Sequence, residues 1–500
     1  MKEHLKNLAI LLFAALTGHF IAYKLVHIPR RLELVIIIAA LMFYPVLRRP
    51  IIGLYAVFIV SPFIPFIRRL YYLSYERPAL DPIIILSDLF LAFILLGLFF
   101  EFRERKSQEQ SSPGIVMVIF IYFVYLAIRT SFFNFLPFSE ALAKFKYYGP
   151  PVLFFFVGTI YADQPFHLKR FWYITIGIGI VASIYGFNQL YNGYSKAEML
   201  WFSSIEFSTL FIKGVPRPFS IFQAPVALAD YVQLAIIGVL MCVAWAEEKK
   251  PIFLMFAVPV LLYAALITSV RSSWVGIIAT FFIWPLFFRV KGNGRRLAAL
   301  SLVLSAYVVY QLIAEIFQTG FSTASGVKIF SRLFSNQQYF KLLVADRATA
   351  LYEPFREHSF VSRLMLWRQL LVFSTEPVLA FLGRGLGTLK ADSLYFTYLA
   401  EFGYPGMIFI TAIIIFFVFR GLYIIDNSTD KTFVALAKGI TILNIVFGIV
   451  SVTGTHIHYF PGDVYFWFWN GVLIHVAQTC KRGVECKTVD KSHETGEESA

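Results

Sequence analysis

An all-α polytopic membrane fold is predicted by three features of the chain. Apolar runs long enough to cross a bilayer recur along nearly its whole length. Charged residues make up only 15% of the sequence and gather between those runs. One long polar segment, residues 316–404, interrupts the pattern. With 58% hydrophobic residues, among them 55 Phe and 27 Tyr, a soluble domain of this length has no way to hide its apolar surface.

The periodicity gives about fourteen transmembrane helices (12–14). They fall near 8–26, 32–47, 51–67, 83–100, 115–136, 147–162, 171–192, 225–245, 251–268, 273–289, 297–315, 405–420, 433–452 and 460–478. Met1–Lys6 and the run after it could pass for a signal peptide. No small-residue cleavage site follows, and His19, Tyr23 and Lys24 interrupt its end, so it is read as a retained span. The short runs 32–47 and 147–162 are also candidates for re-entrant or interfacial segments. Residues 193–224 form a smaller loop in which Pro216, Pro218 and Pro225 forbid a regular helix and hold Arg217 in an extended lead-in.

The large loop, 316–404, is read as partly helical. Within Phe360–Phe373, Val361, Leu364, Met365, Trp367 and Leu371 recur at three- and four-residue spacing, with Arg363 and Arg368 off that stripe. This predicts an amphipathic helix lying on the membrane or capping the bundle. Gly383-Arg384-Gly385-Leu386-Gly387 then makes either a plain turn or a backbone amide nest for an anion. Residues 1–480 are read as a single membrane domain, and 481–500 as a hydrophilic, disordered cytoplasmic tail.

Lysine and arginine placement sets the expected orientation. Arg289, Lys291, Arg295 and Arg296 form the strongest cluster, and Arg48-Arg49, Lys169-Arg170 and Lys249-Lys250 fall on the same, cytoplasmic side. Both termini are then inside and both large loops outside. Arg30-Arg31, Arg68-Arg69, Arg77, Lys144 and Lys146 land outside as well. They would serve either anionic lipid headgroups or a pyrophosphate-bearing substrate. The net charge of +14 is accordingly assigned to the membrane and an anionic substrate, with no nucleic-acid partner. Cys242 reads as an apolar residue within a span, and Cys480 and Cys486 as reduced thiols. Neither a disulfide framework nor a metal-binding spacing is present, and no cofactor is expected.

The candidate site residues sit at the external edges of the spans. Arg271, in Thr268-Ser269-Val270-Arg271-Ser272-Ser273-Trp274, either snorkels to hold its span in register or meets a substrate; the hydroxyls around it favour the second reading. Asp88 and Asp230 lie about one turn inside their spans, where an ionisable group usually has a partner, so one of them is expected to pair with a site arginine. His456 and His458, in the last external loop, are expected to face solvent, with a catalytic base as the less favoured alternative.

From Arg217 to Gly406 the residues resemble the O-antigen ligase and polymerase (WaaL/Wzy-type) superfamily of polytopic membrane glycosyltransferases. Four pieces in order carry the resemblance: Arg217-Pro-Phe-Ser-Ile-Phe-Gln-Ala-Pro225; Thr268-Ser-Val-Arg271; Arg363-Leu-Met-Leu-Trp367 with Pro377 and the glycine run; and Asp392-Ser393 with nine residues before Gly403-x-x-Gly406. The ligase motif places histidine where this chain has Asp392. The resemblance implies a GT-C-like membrane protein of the bacterial cytoplasmic membrane, with a metal-independent transfer at the external leaflet. The donor would be an oligosaccharide on undecaprenyl pyrophosphate and the acceptor another saccharide. Flippase and chain-length regulator proteins would be its partners. Arg271 and Asp392 would take catalytic roles, with Arg217, Arg363, Arg384 and Ser393 binding pyrophosphate or glycan.

Arginine suits such chemistry, because its guanidinium stays charged and forks onto phosphate oxygens as the leaving group gains charge. An aspartate is a weak base near neutral pH, so Asp392 either accepts the acceptor's proton or orients its hydroxyl. The missing histidine favours a polymerase of exopolysaccharide, capsule or O-antigen repeats over a ligase acting on a lipid A core. A flippase for lipid-linked saccharides is the reading from another class. It is disfavoured because the polar residues cluster at one edge and not near the midplane.

Overall fold

A computed structural model describes residues 31–70, 82–104, 113–132, 138–204, 210–212, 215–245, 252–287, 358–373, 376–387 and 391–481. The predicted spans 8–26 and 297–315, the basic cluster Arg289–Arg296, the first part of the large loop, and the tail beyond 481 lie outside these residues.

The chain is almost entirely helical over the described residues, and helices cover every predicted span that falls within them. The first is α1 (Arg31–Arg48). α2 (Pro50–Val60) continues through the turn Ser61–Phe63 into α3 (Ile64–Leu70). Then come α4 (Leu86–Glu104), α5 (Pro113–Phe132), α6 (Phe138–Tyr161), α7 (Pro165–Asn192) and the short α8 (Lys196–Ser204). A two-residue hairpin, β1 (Phe211–Ile212) against β2 (Val215–Pro216), leads to α9 (Pro225–Trp245), α10 (Ile252–Ile267) and α11 (Arg271–Phe287). After the large loop's first part come α12 (His358–Phe373), α13 (Pro377–Leu382), α14 (Leu394–Asn427), α15 (Lys431–Val450) and α16 (Gly462–Lys481).

Among the described residues, six helical stretches are long and apolar enough to cross a membrane: Pro50–Leu70, Pro82–Glu101, Pro165–Asn192, Pro225–Val243, Leu394–Asn427 and Lys431–Val450. Three shorter apolar helices join them, Gly114–Thr130, Phe256–Ile267 and Arg271–Phe287. The outer surface suits lipid and not water: Leu286 is 78% exposed, Phe282 75% and Phe256 72%. This is a polytopic membrane protein.

Two boundaries differ most from the sequence reading. The run 147–162 belongs to a 24-residue helix, α6, that begins at Phe138 and carries Pro150 and Pro151 inside it. In a bundle, neighbouring helices can satisfy the carbonyls that a proline strands. The span predicted at 405–420 is the second part of a 34-residue helix whose first part was assigned to the loop. The two parts meet at Gly403, which is non-helical at φ 71° and ψ −169°.

The bundle closes around α9, α15 and α16. α6 and α16 run side by side in the same direction, with Tyr148 against His458 at one end and Asp163 bonded to His475 at the other. Their backbones touch because Gly158 and Gly471 face each other's partner helix. A Cβ on Gly158 would lie 2.1 Å from the Phe468 carbonyl oxygen, and one on Gly471 2.0 Å from that of Phe155. Small residues at such crossings let packing hold helices together where no hydrophobic drive between them exists. Deeper in, Asn444 and Asn470 exchange side-chain hydrogen bonds of 2.7 and 3.0 Å between α15 and α16.

Candidate functional site

At one end of the bundle α7, α10 and α15 finish while α9, α11, α14 and α16 begin. Every candidate residue past Arg217 lies at that end. The Arg217 segment is held there from two sides. Gln189 on α7 accepts the backbone N–H groups of Phe219 (3.1 Å) and Ser220 (2.7 Å), while its amide nitrogen donates to Glu198 on α8 (2.6 Å). Arg69 donates to the carbonyls of Ser220 and Phe222, with its guanidinium 4.5 Å from the Phe219 ring. Arg69 was expected among the external cations for headgroups or pyrophosphate. It is only 2% exposed and spends its hydrogen bonds on backbone, so it holds the loop instead.

Held this way, Arg217 is buried and donates from Nε to the Thr268 carbonyl at 2.8 Å. The first two sequence pieces thus meet directly. The turn between α10 and α11 puts Ser269 in the left-handed region (φ 56°) and starts α11 at Arg271, which is half-buried. Of the hydroxyls around Arg271, those of Thr268 and Ser273 go to the carbonyls of Ala265 and Ala229. The first closes the end of α10, and the second ties α11 to α9.

Ala229 adjoins Asp230, whose expected arginine partner is replaced by a histidine. His456 Nδ1 lies 2.7 Å from Asp230 Oδ1, with the two side chains 1% and 2% exposed. His456 therefore does not face solvent. Its Nε2 and the second Asp230 oxygen have no hydrogen-bond partner among the described residues. His458 is not a solvent-facing base either. It lies between the rings of Tyr148 (4.6 Å) and Tyr398 (5.6 Å), and burial pushes its pKa down to about 3, which keeps the ring neutral. Asp88 also lacks the expected arginine: it pairs with Lys146 at 3.0 Å. That pair lines a cavity of about 50 Å³, shared with Arg68, Gln223, Phe460 and Asp463.

The turn before His456 holds the fourth piece. Leu394 N–H donates to the carbonyls of Ser451 (2.9 Å) and Gly454 (3.0 Å), and the Ser393 hydroxyl lies 3.5 Å from the Ser451 carbonyl. Gly454 is needed there, since a Cβ would sit 2.5 Å from His456 Nε2. Ser393 is fully buried at the start of α14, so its work is to anchor its neighbour and not to meet a ligand. That neighbour, Asp392, takes the left-handed backbone (φ 47°), a conformation aspartate tolerates better than most residues. Its carboxylate is 61% exposed and 3.4 Å from Arg363 Nε.

Arg363 was expected off the apolar stripe of its helix. α12 instead docks on the start of α14 through the face of Arg363, Trp367 and Leu370. Trp367 stacks on Phe396 at 4.9 Å and 7°, and its Nε1 donates to the Ala391 carbonyl at 2.9 Å. Leu370 is buried with Ala391 and Ala400, whereas Met365 and Leu371 of the predicted stripe are 62% and 45% exposed. The partners at the start of α14, Ala391, Asp392 and Phe396, decided the rotation, and the apolar count did not.

The glycine run forms the plain turn. The N–H groups of Arg384, Gly385 and Gly387 donate to the Ala400 carbonyl (2.7 Å), the Glu401 carbonyl (3.1 Å) and Glu401 Oε1 (2.8 Å), which leaves these three amides none for an anion. Arg129 of α5 donates to the carbonyls of Leu382 and Glu401 and fastens the same seat. The Arg384 side chain is half-buried at this turn.

A chain of contacts thus runs from Arg217 to Thr268, on through Ser273 and Ala229 to the Asp230–His456 pair, and through Gly454 and Leu394 to the Asp392–Arg363 pair. One of its members, Gly454, and the nearby Tyr459 were not singled out from sequence. The Tyr459 hydroxyl is pushed up by burial first, then by the negative charges of Asp230 and Asp392, with Arg363 opposing. It stands within electrostatic reach of both pairs. Arg129 and Glu401 were missed as well, because their roles depend on partners distant in sequence. No protein-family model matches the chain, and neither does any curated protein.

Proposed function

We propose that the protein is a polysaccharide polymerase, transferring a glycan from undecaprenyl pyrophosphate to a hydroxyl of another lipid-linked repeat unit at the external leaflet of a bacterial cytoplasmic membrane. The site end of the bundle faces outward in this reading, with both termini and the tail inside. The observation that carries it is the meeting at one bundle end of four pieces far apart in sequence, through Arg217–Thr268, Arg363–Asp392 and the seat of the glycine run on Glu401.

The chemistry follows from those residues. Arg271 and Arg363 receive the diphosphate, and their benefit grows as the bond from the anomeric carbon to the phosphate oxygen breaks and charge collects there. Arg217, turned toward the Thr268 carbonyl, fixes the turn that presents Arg271. Asp392 accepts the hydrogen bond of the acceptor hydroxyl and takes its proton as the new glycosidic bond forms. The departing group is undecaprenyl pyrophosphate.

In cells, Asp392→Ala should leave the protein inserted but stop chain extension, with single lipid-linked repeats accumulating on the external side. Polymer of normal length in that variant would remove Asp392 from the reaction, and accumulation on the cytoplasmic side in a deletion strain would indicate a flippase.

A further inference from the structure

We propose that the Arg363–Asp392 pair is a donor-operated gate: the donor's diphosphate draws Arg363 away from Asp392, and only then is the carboxylate free for the acceptor hydroxyl. This rests on the glycosyl-transfer reading above.

A guanidinium paired with the carboxylate serves neither substrate fully, so the pair must open during turnover. It is built to open. The contact is a single one at 3.4 Å, on a carboxylate that is 61% exposed. A diphosphate offers the same guanidinium two-pronged hydrogen bonding and more charge.

The two partners are not equally mobile. Asp392 sits at φ 47°, between Ala391, whose carbonyl holds Trp367, and buried Ser393, with Leu394 N–H tied to Ser451 and Gly454. Arg363 projects from a helix on a long, flexible side chain. The arginine is therefore the part that swings.

α12 stays in place when it does. Arg363 and Trp367 are one helical turn apart on α12, while Asp392 lies just before the N-cap of α14 and Phe396 in its first turn, so α12 meets the start of α14 through two rungs. The ion pair is the upper rung, and the Trp367–Phe396 stack with the Trp367–Ala391 hydrogen bond is the lower. Leu370, buried against Ala391 and Ala400, reinforces the lower one. Opening the upper rung leaves the lower intact and Arg363 within reach of the site. The consequence is an order of binding, donor before acceptor, with the carboxylate masked until a donor is present.

The test is a titration of the purified full-length protein in detergent with sugar-free undecaprenyl pyrophosphate, comparing wild type with Asp392→Asn and Asp392→Ser. Both variants remove the charge that competes for Arg363, and asparagine tolerates the left-handed backbone well. The gate predicts binding about two- to fivefold tighter in both variants, the range an exposed ion pair exerts, although transfer is lost. Equal or weaker binding in both would overturn the gate and leave the glycosyl-transfer reading standing, since a contact that merely docks α12 would loosen the site when cut. No binding by wild type would overturn both.

Discussion

Gly403→Ala isolates how the kink in α14 supports the site. At φ 71° and ψ −169° the backbone is in a region open essentially to glycine alone, and an L-residue there carries strain of about 1–3 kcal/mol. The added Cβ would also lie 2.4 Å from the Ala380 carbonyl oxygen and 2.7 Å from that of Phe381. These are backbone atoms of α13 that no rotamer change can move aside. Relief requires α13 to slide off residues 400–403. That lengthens the bonds from Arg384 N–H to Ala400, from Gly385 N–H to Glu401 and from Gly387 N–H to Glu401 Oε1. Each is worth about 0.5–1.5 kcal/mol. Strain plus the loss of one such bond comes to about 3 kcal/mol, or roughly a hundredfold in the local opening equilibrium. Hydrogen exchange read by mass spectrometry in detergent should find the 383–387 amides exchanging about a hundredfold faster, with α15 and α16 unchanged. Protection within about threefold of wild type would refute the argument that Gly403 seats this turn.

The remaining predictions concern the buried supports. Asp230→Ala leaves His456 Nδ1 buried without its partner and should cost about 1–3 kcal/mol in detergent unfolding; Asp230→Asn, which keeps an acceptor, should cost less. Gly158→Ala or Gly471→Ala forces α6 and α16 apart and should destabilise by about 1–3 kcal/mol, the usual range for overpacking. His458 should stay unprotonated from pH 8 to pH 5 in nuclear magnetic resonance titrations. Its folded pKa of about 3 lies below the ordinary value near 6.5. The unfolded chain therefore binds the extra proton between those values, and stability falls as pH drops through that window. His458→Phe should flatten that part of the acid limb; an unchanged limb would count against it.

Much of the fold was legible because the bilayer imposes a length on every span. Proline marked the start at Pro225, where its missing N–H costs nothing. Helix register and polar pairing were not legible. The Arg363 face of α12 was set by Trp367 finding Phe396 and the Ala391 carbonyl, partners beyond the helix that no count of apolar spacing contains. Similarly, a buried aspartate declares that it needs a partner but not which one: Asp88 found Lys146 and Asp230 found His456, not the arginines expected. The prolines around Arg217 announced its extended backbone, whereas Arg69 as the clamp on that loop depends on folding across 150 residues of chain.

The most direct test of the central claim is to give purified full-length protein a defined repeat unit on undecaprenyl pyrophosphate and weigh the products. The account predicts saccharides lengthened by whole repeats, with sugar-free undecaprenyl pyrophosphate released in step, and neither product from Asp392→Ala. A donor left intact by wild type, or the same products from Asp392→Ala, would contradict it.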